Sequence, residues 1–275
     1  MTDLVTDIHA QAVNLVYGVI EYRADVFGLI SLPVLDVMFA FFIHYLYKSA
    51  LGVNHAQVSW LQGFFATVVM ASGGGCTVAL IRGEPLGILK SNEFWVIHSL
   101  TYILMFSNDF CYRLIHFLFS LPLVEHAFTV SDGFLRAIAM LQFGVNGVDE
   151  MLGPNKWMAQ LICGVLAGCG GGLIMDAFRL SEAHWAFGTP RLLKAASTDM
   201  KITLATVLLY MTLVDESGWL SDMVGATASM DPVDAQAWAA LFLTFGLVIN
   251  TKVSYWYSLS PTPPKTNEKI GNKQE

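Results

Sequence analysis

Charge is scarce in this 275-residue chain. Asp, Glu, Lys and Arg together make up 13% of it, about half the share of an ordinary globular domain. That scarcity excludes a disordered chain and an ordinary soluble enzyme. Positive charge is scarcer still: 15 Lys and Arg stand against 22 Asp and Glu, a net charge of −7. No basic surface for nucleic acid is on offer. Cysteine is rare as well. Cys76, Cys111, Cys163 and Cys169 all lie inside apolar stretches and read as small buried residues, not as a disulfide or metal framework. Metal-ligand spacings, phosphate loops, nucleophile elbows and dinucleotide fingerprints are missing too. No catalytic residue, metal site or cofactor is expected, and the chain is not read as an enzyme.

What the chain has in excess is apolar length. Hydrophobic residues make up 55% of it, and the mean hydropathy is +0.54. A membrane span takes about 20 residues, so seven spans take about 140, which this content supplies. Seven apolar segments run at 26–47, 58–81, 94–119, 127–147, 157–178, 199–219 and 235–257. The expected fold is an all-α membrane protein with seven transmembrane helices. Residues 1–25 carry apolar positions at helical spacing (Leu4, Ile8, Val13, Val16, Val19, Ile20) and suit an interfacial helix. They lack the basic start and long apolar run of a signal peptide. The proline-rich polar tail at 260–275 is expected to be disordered.

Loop Lys and Arg set the expected orientation. With seven spans, Lys48, Arg113, Arg179, Arg191, Lys194, Lys265, Lys269 and Lys273 fall on one side, and Arg23, Arg82, Lys90 and Lys156 on the other. The richer side is read as cytosolic and holds the C-terminal tail. The opposite side is acidic, most of all in the loop at 221–234 and just before it, with Asp215, Glu216, Asp222, Asp231 and Asp234. That loop is either simply solvated, or an attractor for cations at a pore mouth or a weak Ca²⁺ binder.

A repeat runs through the chain. Trp60, Gly73-Gly74-Gly75 and Arg82 in the second segment match Trp157, Gly170-Gly171-Gly172 and Arg179 in the fifth, each pair 97 residues apart without a gap. Repeat 1 covers 26–122 and repeat 2 covers 123–220, three spans each. Three is odd, so the second copy enters the membrane in the opposite sense, an inverted pair. The seventh helix, 235–259, is left over. Three consecutive glycines weaken a helix by about 1 kcal/mol each relative to alanine. They also expose carbonyls that a water-filled cavity satisfies and lipid does not. Gly73, Gly74, Gly75, Gly170, Gly171 and Gly172 are therefore read as pore hinges in two broken helices. The bland alternative is close packing of small residues.

Charges within spans are costly and normally face a bundle interior or a cavity. Asp36, Asp109 and Lys201 are read as pore or gating charges, with a salt bridge or hydrogen bond between helices as the alternative for each. Asp132 and Arg136 are four apart, share a helix face and can pair. A free Arg136 guanidinium suits a lipid phosphate. His44, His98 and His116 are read as core or interface residues, with a proton relay as the alternative.

The stretch GGGCTVALIRGEPLGIL at 73–89, the Lys201 region opening the sixth span, and the paired glycine triplets together resemble the trimeric intracellular cation (TRIC) channels over residues 25–258. The resemblance implies a potassium channel of the endoplasmic or sarcoplasmic reticulum that carries counter-ion current as Ca²⁺ leaves or enters the store. It also implies a homotrimer with one pore per subunit and a luminal N-terminus. It further implies an anionic, phosphoinositide-like phospholipid at Arg136. Here Asp132 stands where that family carries Lys, a charge reversal that counts against such a lipid. Small-solute transporters also use inverted repeats and broken helices, so a secondary transporter is the alternative.

Overall fold

A computed structural model of the chain describes residues 2–26, 28, 30–215, 218 and 229–259. The tail at 260–275 and most of the acidic loop therefore lie outside the described residues. A first helix, α1 (Thr2–Ile20), is followed by a small antiparallel hairpin of β1 (Arg23–Val26) and β2 (Ile30–Pro33). Gly28 at φ +68° sits in its turn, a backbone state that glycine alone adopts without strain. Pro33 then caps α2 (Val34–Leu51). The first apolar helix thus begins eight residues later than the hydropathy suggests. Its opening stretch is spent on the hairpin, because the Gly28 turn and Pro33 both stop a helix from starting there.

A 3₁₀ turn (Gly52–Gln57) leads to α3 (Trp60–Arg82). Ser59 and Gln62 form a reciprocal capping box at its start, which satisfies two otherwise unpaired amides. Gly83, at φ +68°, closes it by donating to Ala79 and Leu80. The Gly83-Glu84-Pro85-Leu86 motif is thus a helix stop. The short α4 (Gly87–Lys90) precedes α5 (Asn92–Ser107) and α6 (Asp109–Ser120), each capped at its start by a side chain, Ser91 and Asn108 respectively. Next come α7 (Pro122–Ile138), a π-helical stretch (Ala139–Asn146) and α8 (Gly147–Leu152). The remaining helices are α9 (Trp157–Ala177), the short α10 (Arg191–Lys194), α11 (Thr198–Leu213) and α12 (Pro232–Leu259).

Among the described residues, four helices are long and apolar enough to cross a membrane: α2, α3, α9 and residues 232–252 of α12. A fifth is added if α6 and the run 123–152, bent by 97°, count as one broken span. The other two expected spans are shorter than their apolar segments. The segment at 94–119 is cut at Asn108, which caps α6, and the segment at 199–219 is helical to Leu213. α5 and α11 have 16 residues each, about 24 Å of helix, against a hydrocarbon core of about 30 Å.

The largest core joins Phe134, Ala137, Met140 and Leu141 of the fourth segment to Val207, Tyr210 and Met211 of α11 and Ala237, Ala240 and Leu243 of α12. Small residues let the helices approach closely. A β-carbon on Gly133 would lie 2.3 Å from the Thr244 hydroxyl, and one on Gly144 would lie 2.6 Å from the Gly164 Cα. That is how membrane helices gain contact where lipid supplies no hydrophobic drive. α1 docks on α12 through a chain of bonds. Trp238 donates to His9 Nδ1, and His9 Nε2 meets Asp234 at 2.9 Å. The Tyr17 hydroxyl donates to the Val233 carbonyl. Burial, with Asp234, Asp231 and Glu21 nearby, pushes that hydroxyl above the usual phenol range. Asp231 in turn accepts from the Val233 amide at the start of α12. Two acidic residues of the last loop thus have structural partners.

Candidate functional site

Both helices of the repeat start on their tryptophans, Trp60 and Trp157. Both run on as α-helix through their glycine triplets. This corrects the expectation of broken, unwound hinges. Glycine's cost as a helix former, about 1 kcal/mol per residue, is outweighed here because the missing side chains let two backbones touch. A β-carbon on Gly73 would stand 3.2 Å from the Gly171 Cα, one on Gly170 2.8 Å from the Gly74 Cα, one on Gly74 2.3 Å from the Ala167 carbonyl oxygen, and one on Gly171 2.5 Å from the Met70 carbonyl oxygen. Positions rise along α3 as their partners fall along α9, so the helices cross antiparallel. The triplets meet each other, as expected, but as a packed crossing. Gly75 and Gly172 have nothing within 4 Å of such a carbon.

A cavity of about 300 Å³ opens beside this crossing, room for about ten waters at liquid density. α2 contributes Phe39, Phe42, Ile43 and Leu46; α3 contributes Met70, Ala71 and Gly74; α9 contributes Gly168, Cys169, Gly171 and Gly172. The charged groups in its wall are Asp132, Arg136 and Asp199. Arg136 bridges the other two. Its Nη1 donates to both Asp199 oxygens, at 2.7 and 2.8 Å, its Nε to Asp132 Oδ1 at 3.3 Å, and its Nη2 to Asp132 Oδ2. The i,i+4 spacing predicts the Asp132 contact. Asp199 was missed by sequence reasoning. It enters from the first turn of α11, which Ser197 fixes by accepting from the Met200 amide. No local signal links residues 63 positions apart; only folding brings α11 back beside α7.

The other residues singled out in the sequence lie elsewhere. Lys201 is exposed and outside the cavity wall. Asp36 is half-buried in the first turn of α2, not at its middle, because Pro33 sets the helix start. Asp109 was expected to be shielded. It is instead the first residue of α6, with its side chain 81% exposed, 3.7 Å from the buried Lys48 ammonium. Lys48 also donates to the Met105 carbonyl at 2.9 Å and lies over the Tyr112 ring at 4.4 Å. It thereby holds the junction of α5 and α6.

Arg82, which closes α3, donates to the Phe143 carbonyl at 2.7 Å and pairs with Glu84. Its guanidinium occupies the space a β-carbon on Gly147 would need, so the end of the π stretch is held by the residue that ends α3. Arg179, the matching residue of the repeat, has φ +50° and faces Glu182 at 3.8 Å. His44 and His98 are buried edge to face, with ring centroids 5.5 Å apart, and His116 bonds Tyr45. All four cysteines are free; Cys163 and Cys169 are buried and Cys76 and Cys111 half-buried. Among the described residues no group of three or more His, Cys, Asp or Glu side chains is placed to hold a metal.

Residues 49–223 match the family model described as TRIC channel. The fold is similar to that of a trimeric intracellular cation channel from C. elegans with bound Ca²⁺. That match has a TM-score of 0.66 and 15% identity and covers 91% of this chain and 99% of that one. The same C. elegans channel without Ca²⁺ gives a TM-score of 0.64 at 16% identity, over 90% and 98%. A prokaryotic TRIC channel in 0.5 M KCl gives 0.51 at 16% identity, over 81% and 96%. A search of the curated proteins by sequence returns no match.

Proposed function

This chain belongs to the TRIC channel family, and from that premise we propose that it conducts monovalent cations, chiefly potassium, as a counter-ion pathway of the reticulum membrane. The similar structures are named as trimeric cation channels and, in one case, as counter-ion channels in calcium release. The reading takes this chain as a homotrimer with one path per subunit, seven crossings, a luminal N-terminus and a cytosolic C-terminus. Repeat 1 and repeat 2 form the inverted pair, and K⁺ is the ion carried. The observation that carries the reading is the cavity at the crossing of α3 and α9. It is large enough for water, and its charged wall holds two carboxylates against one guanidinium. A net negative wall in a low-dielectric surround concentrates cations and excludes anions.

Lipid phosphate is left out of this reading. The Arg136 guanidinium that such a phosphate would use already holds Asp132 and Asp199. Phosphoinositide added to the bilayer is therefore expected to leave channel opening unchanged.

Purified protein in a planar bilayer with symmetric KCl tests the reading. Ohmic single-channel steps with cation-selective reversal potentials are expected. Saturable, solute-coupled flux without steps would point to the transporter alternative.

A further inference from the structure

The wall cluster has an arrangement that a simple ion pair does not need. Two carboxylates from different helices, Asp132 of α7 and Asp199 of α11, converge on one cationic group beside a cavity large enough for several waters. Convergent carboxylates at a cavity wall are how a protein binds a free cation. Here the cation is tethered. All three guanidinium nitrogens of Arg136 face carboxylate oxygens, and the Asp132 side chain is only 7% exposed.

Burying a carboxylate is costly unless it is paired. Asp132 therefore keeps its charge through a partner, and the partner sets what the cavity admits. The three groups together carry a formal charge of −1. Without the guanidinium, two oxygen pairs would be aimed at one vacated point, and the buried Asp132 would need another cation as its partner. That favours a divalent cation over a monovalent one.

The geometry points to Arg136 as the specificity-determining residue of the cavity: a built-in cation that fills the space between Asp132 and Asp199 and thereby keeps divalent cations from lodging in a path for monovalent ones. The inference rests on reading the cavity as the conduction path.

Arg136→Gln removes the charge while keeping an amide that hydrogen-bonds to Asp132. In nanodiscs, Tb³⁺ luminescence excited through the aromatic residues reads divalent-type binding without any need for current. R136Q is expected to gain one saturable site that Ca²⁺ displaces. Wild type and the triple variant D132N/R136Q/D199N are expected to lack it. A folded R136Q that binds no more Tb³⁺ than wild type overturns the proposal.

Current supplies the second readout. In bilayers, millimolar Ca²⁺ is expected to block R136Q and not wild type. Asp199→Asn, which leaves the side-chain shape intact at a partly exposed site, covers the case in which R136Q does not fold. A unit charge about 5 Å from a wet path changes local cation density about threefold to fourfold. D199N is thus expected to lower K⁺ conductance by about that factor, and unchanged or higher conductance in D199N overturns the proposal. Wild-type protein that gives no single-channel steps would defeat the channel reading itself, while the Tb³⁺ result would still decide what the cluster binds.

Discussion

Gly74 and Gly75 are neighbours in sequence with opposite tolerances. A β-carbon on Gly74 meets the Ala167 backbone at 2.3 Å, and one on Gly75 meets nothing within 4 Å. Backbone cannot swing aside as a flexible side chain can. Gly74→Ala and Gly171→Ala are therefore each expected to destabilise the protein by about 1–3 kcal/mol, the usual cost of overpacking. Gly75→Ala is expected to be neutral or to stabilise by up to about 1 kcal/mol, through helix propensity alone. Thermal melts in detergent followed by size exclusion separate the two outcomes, and equal losses at Gly74 and Gly75 would remove the crossing argument. Gly172 has open space around it yet lines the cavity. Gly172→Leu is expected to keep the fold and cut current by filling that space. The sequence singled out all six glycines, but it treated them alike. Which face each presents depends on the rotation of α3 against α9.

At the scale of elements, apolar length and breaking signals decided between them where helices start and stop. Ser59 with Gln62, Gly83, Ser91 and Asn108 are start and stop signals that act locally, and they are visible in sequence once looked for. Hydropathy alone overrode one of them, Asn108, and with it Pro33. It ran the third segment through Asn108, and it started the first segment before Pro33. The junction at Asn108 is held by Lys48, whose buried ammonium donates to the Met105 carbonyl at the end of α5. Lys48→Met removes a charged donor from a buried carbonyl, a loss of about 1.5–3 kcal/mol. Faster amide exchange at the end of α5 and the start of α6 is the expected signature; unchanged exchange there would make the contact incidental. The docking of α1 is a second such case. Trp238→Phe deletes the donor to His9, and faster exchange throughout α1, with α3 and α9 unchanged, is expected.

Across the whole molecule, the sequence by itself determined that the chain is a helical membrane protein and that the Trp, Gly-triplet and Arg pattern of 60–82 recurs at 157–179. Both follow from composition and register, which need no folding to be read. An exact offset of 97 residues between two Trp, Gly-triplet and Arg sets survives in any conformation. The contact between Asp132 and Arg136 was legible for the same reason, since four residues is one helical turn. Tertiary structure alone decided the rest. It placed Asp199 across from Arg136, left Lys201 and Asp109 exposed, and turned the expected hinges into a packed crossing of two intact helices. The physical reason is that backbone clearance and charge pairing between distant helices depend on their relative rotation and approach. Those are set by summed packing over the whole bundle, which no local pattern encodes.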